Sequence, residues 1–75
     1  MARMPQVSAR DLVRFLEAQG FIEDRQSGSH LTLRHPTRKV TVTVPMHTGA
    51  DVGRGLAVRI LKDAGFTVDA YLRRR

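Results

Sequence analysis

The stretch SHLTLRHPTRKVTVTV, residues 29–44, decides the fold class. Polar and apolar side chains alternate on either side of its centre, which is the pattern of β-strands that bury one face. The apolar positions are Leu31, Leu33, Val40, Val42 and Val44. Residues 36–38, which begin with a proline, mark the turn between the two halves. The stretch therefore predicts two antiparallel strands, Ser29 to His35 and Lys39 to Val44, with one apolar and one polar face.

The residues before this stretch predict a third strand and a helix. Phe21 to Gln26 forms a less regular strand, and the dipeptide at 27–28 marks the turn that joins it to the next strand. Further upstream, Ser8 is a typical helix N-cap, apolar residues follow at helical spacing, and Gly20 is a typical terminator. These signals predict a first helix from Ala9 to Gln19.

The residues after this stretch predict a second helix. Pro45 ends the third strand, because proline has no N–H to donate to a ladder. A glycine-bearing loop then leads to a helix from Arg54 to Ala64, which Gly65 closes. Its predicted apolar stripe consists of Leu56, Ala57, Ile60, Leu61 and Ala64. Residues 67–75 predict one more helical turn and a basic tail at 73–75.

The order of these elements predicts the architecture. Two helices with apolar stripes need a surface on which to bury them, and the apolar face of the sheet supplies it. We therefore expect a single α+β domain over residues 1–75, a two-layer sandwich in the order α-β-β-β-α with a three-stranded antiparallel sheet. Residues 1–7 are expected to be a flexible leader.

Net charge narrows the class of partner. The chain carries eleven arginines and two lysines against seven acidic residues, for a formal charge of +6. Such an excess in a small domain is typical of nucleic-acid binding, and arginine matches phosphate oxygens with a planar fork of donors. An acidic protein partner would also explain it. The absence of cysteine excludes disulfides and Cys-based zinc sites, and no segment resembles a signal peptide or a membrane span, so we expect a cytoplasmic protein.

His30 is the main candidate for chemistry. The alternation places it on the polar face of the sheet, directly after Gly28 and Ser29. A glycine lets backbone amides approach a phosphate closely, and a serine adds a hydroxyl donor. A lone exposed histidine on a strand is more often without function, so the pattern alone leaves that alternative open.

RNA cleavage without a metal ion fits these residues better than metal-dependent chemistry. The seven carboxylates are scattered, and His30 with His47 would supply too few ligands for a structural zinc site. Cleavage through the ribose 2′-hydroxyl needs only a proton acceptor, a proton donor and cations. His47 is a candidate for the second proton-transfer group, although a structural role is equally open to it. The candidate cations for the phosphate are Arg34, Arg38 and Lys39.

Three segments carry a resemblance to a known family: AQGF at 18–21, RQSGSHLTLRHP at 25–36 and VTVPMHTGADVGRGLAVRILKDAGF at 42–66. Their most specific features are the Gly28-Ser29-His30 triplet and the Val-Pro-x-His segment that ends at His47. With them the chain, from Ser8 to Leu72, resembles the HicA-type toxins of bacterial toxin–antitoxin pairs. One departure lies in the loop after His47, where the family often has lysines and this chain has threonine, alanine and aspartate.

The resemblance implies more than the spacing does. It implies a fold similar to double-stranded-RNA-binding domains and a metal-independent ribonuclease that needs no cofactor, cleaves messenger RNA and stops translation. It maps the catalytic histidine onto His30 and implies a HicB-like antitoxin that covers the active site. Two alternatives stay open at this point: a non-catalytic RNA-binding module of the same fold, and an interaction domain for an acidic protein.

Overall fold

The structure is a computed structural model that describes residues 3–46 and 51–75. In chain order, its elements are β1 (Val7–Ser8), α1 (Ala9–Ala18), β2 (Ile22–Ser27), β3 (His30–His35), β4 (Val40–Pro45), β5 (Asp51–Val52), α2 (Arg54–Asp63) and α3 (Val68–Arg74). The predicted α+β fold class is confirmed: a helix precedes a three-stranded antiparallel sheet, and two helices follow it. In this part of the chain, no helix is long and apolar enough to cross a bilayer.

The central sheet has the strand order β2-β3-β4, and β3 pairs with both neighbours. Opposite Leu31 lies Val44, and opposite Leu33 lies Val42, so the apolar residues of the two strands share one face. All four are at most 5% exposed. Because directly opposed side chains in an antiparallel pair point the same way, this register gives the sheet a continuous apolar surface for the helices.

Helix α1 begins and ends as its sequence predicts. The Ser8 hydroxyl accepts a hydrogen bond from the Asp11 N–H at 3.0 Å, which satisfies one of the free donors of the first turn. Gln19 is the C-cap, and Gly20 follows it with φ 101°, a left-handed conformation that favours glycine. The buried residues of the helix form one stripe: Ala9, Leu12, Val13, Phe15 and Leu16.

Helix α2 buries less of its apolar stripe than the sequence predicts. Ala57, Ile60, Leu61 and the following Ala64 are buried, but Leu56 is 46% exposed. At about 100° per residue, Leu56 lies roughly 90° from the centre of the arc that the other four occupy. The prediction that Leu56 belongs to the core is therefore wrong.

The two ends of the described chain contain burial and secondary structure beyond what the sequence predicts. Met4 and Val7 are buried, and Val7 pairs with Val52 in the short β1–β5 sheet, so the expected flexible leader joins the core from Met4 onwards. At the other end, Thr67 caps α3 by accepting the Ala70 N–H at 3.0 Å. Helix α3 extends to Arg74, and most of the predicted basic tail is therefore helical.

Candidate functional site

The Gly28-Ser29-His30 triplet forms a tight hairpin turn and the start of β3. Ser27 and His30 are paired, so Gly28 and Ser29 are the two residues of the turn, one position later than predicted. Gly28 has φ 59° and Ser29 has a negative φ, the combination found in type II′ turns. The glycine is therefore explained by the turn itself. A Cβ there would meet no atom within 4 Å, which leaves open space above the turn.

The polar face of the sheet carries His30 in an exposed position, as predicted. His30 lies opposite Ser27 on β2 and Pro45 on β4. The next row along the strands on the same face holds Thr32 and Thr43, whose hydroxyl oxygens are 3.4 Å apart. Within residues 3–46 and 51–75, no hydrogen bond to another residue occupies the imidazole of His30. Among these described residues, neither ring nitrogen of His30 has a partner.

The end of β4 closes on this turn. The Met46 N–H donates a hydrogen bond to the Ser29 carbonyl, which ties the last described residue of that segment to the turn. His47, the candidate for a second proton-transfer group, lies outside the described residues, as do the loop positions 48–50.

The three cations predicted from the sequence do not gather around His30. Arg34 shares its face but lies four residues along β3, about 13 Å away at 3.3 Å per residue. Arg38 and Lys39 belong to the turn between β3 and β4, at the opposite end of the sheet. At that distance neither side chain is expected to touch a phosphate held at His30, and their predicted role in RNA binding stays a prediction.

Arg25, which sequence reasoning missed, is the cation nearest to His30 on this face. It lies opposite Thr32, diagonal to His30, and such diagonal pairs are about 7–8 Å apart. A β-bulge at Asp24 separates the Arg25–Thr32 pair from the Glu23–Leu33 pair, so the regular alternation of β2 ends there. The signal was present in the two-residue turn, because counting back from the Ser27–His30 pair gives Arg25 opposite Thr32.

Residues 9–66 match the profile of the HicA toxin of bacterial toxin–antitoxin systems. The matched span includes both helices that flank the sheet, the turn at Gly28 and His30. The chain belongs to the HicA toxin family. A search of curated proteins finds no match.

Membership of the HicA family implies a protein partner for this chain. The family pairs a toxin with an antitoxin, so an antitoxin partner is implied for this chain. No group of three or more His, Asp or Glu residues that could hold a metal ion occurs within residues 3–46 and 51–75. The described part of the polar face presents the His30 imidazole, threonine hydroxyl groups and the guanidinium groups of Arg25 and Arg34.

His35 has a structural role in this HicA chain, in contrast to His30. Its Nδ1 accepts the Arg38 N–H at 3.2 Å, so the neutral ring carries its proton on Nε2, which donates to the Gln19 carbonyl at 3.2 Å. The ring also packs edge-on against Phe21, with centroids 5.2 Å apart. A Cβ on Gly20 would lie 2.8 Å from Nε2, so the glycine leaves room for the ring. His35 joins the β3–β4 turn to the end of α1.

Replacing His35 with alanine should lower the free energy of unfolding by about 2–3 kcal/mol. Two hydrogen bonds contribute about 0.5–1.5 kcal/mol each, and the aromatic contact adds about 0.5–1.5 kcal/mol. Urea unfolding followed by circular dichroism measures the change. His30→Ala is the matched control, because the same substitution at an exposed position should change stability by less than about 0.5 kcal/mol. Equal losses in the two variants would contradict the structural role of His35.

Proposed function

We propose that this chain is a metal-independent endoribonuclease that cleaves messenger RNA in the cytoplasm, with His30 as the proton-transfer group. The observation that carries the proposal is the exposed imidazole on the polar sheet face, in a chain of the HicA family. Cleavage of messenger RNA would inhibit translation. A HicB-like antitoxin would neutralise the toxin by covering this face.

The proposed reaction uses the ribose 2′-hydroxyl as the nucleophile. His30 accepts its proton while the 2′-oxygen forms a bond to phosphorus, and the bond from phosphorus to the 5′-oxygen breaks. The leaving 5′-oxygen takes a proton from a second donor, which is water or His47. The products are a 2′,3′-cyclic phosphate and a 5′-hydroxyl. A histidine suits the first role because its ordinary pKa lies near neutral pH.

The residues around His30 have supporting roles in this proposal. The Arg25 guanidinium, one diagonal away, stabilises the negative charge that develops on the phosphate oxygens. The open space above Gly28 admits the phosphate next to the turn, and the Ser29 hydroxyl is an additional donor. Arg34, farther along the same face, binds a neighbouring phosphate, and Arg38 with Lys39 contacts the RNA at the other end of the sheet.

The decisive test is cleavage of an unstructured RNA by the purified chain in excess chelator. We expect cleavage to persist, with fragments that end in a 2′,3′-cyclic phosphate and begin with a 5′-hydroxyl, and addition of the cognate antitoxin should stop it. Loss of activity in chelator, or fragments with 5′-phosphates, would overturn the mechanism. RNA binding without cleavage would favour the non-catalytic binding module.

A further inference from the structure

A second basic site lies at the end of the sheet opposite His30. Three arginines surround a group of aromatic rings formed by α1, α3 and the segment between α2 and α3; we call this the arginine–aromatic cluster. Its arginines are Arg38, Arg74 and Arg75, and its rings are Phe15, Phe66 and Tyr71. Phe15 contacts both other rings edge-on, with centroids 5.2 Å from Phe66 and 4.9 Å from Tyr71.

The arginines of the cluster are held in place by the rings. The guanidinium carbons of Arg38 and Arg74 lie 5.6 and 6.0 Å from the centre of the same Phe66 ring, and that of Arg75 lies 5.7 Å from Tyr71. Arg74 also donates a hydrogen bond to Gln19 Oε1 at 2.9 Å. A guanidinium carries five N–H donors, so contact with a ring and a single hydrogen bond leave several donors for a ligand.

No carboxylate neutralises the cluster within residues 3–46 and 51–75. In that part of the chain, the one ion pair joins Arg59 to Asp63 on α2, away from these rings. The guanidinium groups of Arg38 and Arg74 carry like charges close to the same Phe66 ring, so an anion bound near both would lower their mutual repulsion. Among the described residues, the positive charge of the cluster therefore has no carboxylate paired with it.

A groove extends the cluster between α1 and α3. It has a volume of about 460 Å³, with Phe15 and Tyr71 at its base and Arg14, Arg74 and Arg75 among its lining residues. Asp11 also lines it, so the charge of the groove is positive by a net two among these side chains. Such a groove can hold a backbone of repeated negative charges better than a single small anion.

We propose that the arginine–aromatic cluster binds the phosphate backbone of RNA at a distance from the cleaved bond. Strand β3 separates it from His30 by about 17 Å, so only a ligand of several nucleotides can contact both sites. Planar guanidinium forks match phosphate oxygens in pairs. The cluster thus holds a long RNA while the polar face acts on one bond. The role in catalysis depends on the proposed function, but the binding site itself does not.

The test compares two double variants that lose the same charge. Arg74→Gln with Arg75→Gln removes the two cluster arginines at the end of α3, whereas Arg59→Gln with Arg73→Gln removes two exposed arginines that contact none of its rings. Both are made on a His30→Ala background so that the RNA stays intact, and thermal unfolding checks that each variant folds. Binding of an unstructured RNA long enough to span both sites is measured over a range of salt concentrations.

We expect the cluster variant to bind the long RNA about tenfold more weakly. The slope of log K against log salt concentration should become shallower by about 1.4, because each lost phosphate contact to a single strand removes about 0.7 from it. The control should lose less than about threefold. With His30 restored, cleavage of a dinucleotide should be equal in wild type and cluster variant, while KM for the long RNA rises at constant kcat.

The outcomes separate this inference from the proposed function. Equal weakening in the two double variants would overturn the inference, because net charge alone would then explain RNA affinity. Unchanged RNA affinity with weaker antitoxin binding would also overturn it, in favour of an acidic protein partner. If the wild type binds RNA without cleaving it, and the cluster variant still binds more weakly than its control, the proposed function fails and the inference stands.

Discussion

His30→Ala is expected to reduce the rate of RNA cleavage by about 10²–10⁴-fold, the contribution usual for a positioned acid or base. The imidazole is exposed and has no hydrogen-bond partner among residues 3–46 and 51–75, so its removal takes away a reactive group and no structural contact. The measurement is the single-turnover rate on one RNA in excess chelator. The stability of the variant should stay within about 0.5 kcal/mol of wild type.

The matched control for this prediction is the other described histidine of the same strand. His35→Ala removes the same side chain at the far end of β3, where the ring is engaged by Gln19 and Arg38. Under conditions in which it is folded, it should cleave RNA at close to the wild-type rate. Full activity in His30→Ala would remove His30 from the chemistry, and an equal loss in both variants would point to a general requirement for an intact β3.

A second comparison tests Arg25. Arg25→Gln should lower the cleavage rate by about 10–10²-fold, below the effect of His30→Ala, because a diagonal cation stabilises charge without moving a proton. Arg34→Gln, on the same face but about 13 Å from His30, is the matched control and should affect KM more than kcat. The reverse order of effects would show that the register on β2 does not place the catalytic cation.

The sheet could be predicted from sequence because its signals are local and repeated. Leu31 and Leu33, with the valines of β4, alternate without interruption, and only one register buries all of them on the same face. Helix α1 carried its own start and stop signals in Ser8 and Gly20. For these elements, local preference and tertiary packing favour the same structure.

The missed features depend on contacts between distant parts of the chain. Strands β1 and β5 have two residues each, too short for any periodicity, and only the Val7–Val52 pairing defines them. The bulge at Asp24 breaks the alternation of β2. The face of the sheet on which Arg25 lies therefore follows only from the register that the Ser27–His30 turn sets.

In the predicted site, too, the residues that are neighbours in sequence lie together as predicted, and those that depend on distant contacts do not. Gly28, Ser29 and His30 are adjacent in sequence and stay together in the fold, whereas the six residues of β3 separate Arg38 and Lys39 from His30. Arg38 instead meets Phe66, a partner that no local pattern indicates.

The largest expected change in stability comes from Leu33→Ala. Leu33 is fully buried at the centre of β3, between the two other strands and under the helices. Removing a buried leucine side chain leaves a cavity and costs about 2.7–5.0 kcal/mol. Small domains have total stabilities of about 5–15 kcal/mol, and one kcal/mol shifts Tm by about 4–8 °C in chains of this length. We therefore expect Tm to fall by at least about 10 °C, or the variant to be unfolded at 37 °C.

Leu56→Ala is the control that separates burial from hydrophobicity. The sequence assigns both leucines to the core, yet Leu56 is 46% exposed on α2. Its replacement should cost less than about 1 kcal/mol, because much of its side chain already contacts water and alanine has the higher helix propensity. Thermal unfolding of the two variants side by side measures the difference. A loss for Leu56→Ala as large as that for Leu33→Ala would contradict the exposed position of Leu56 and mean that it packs inside the protein.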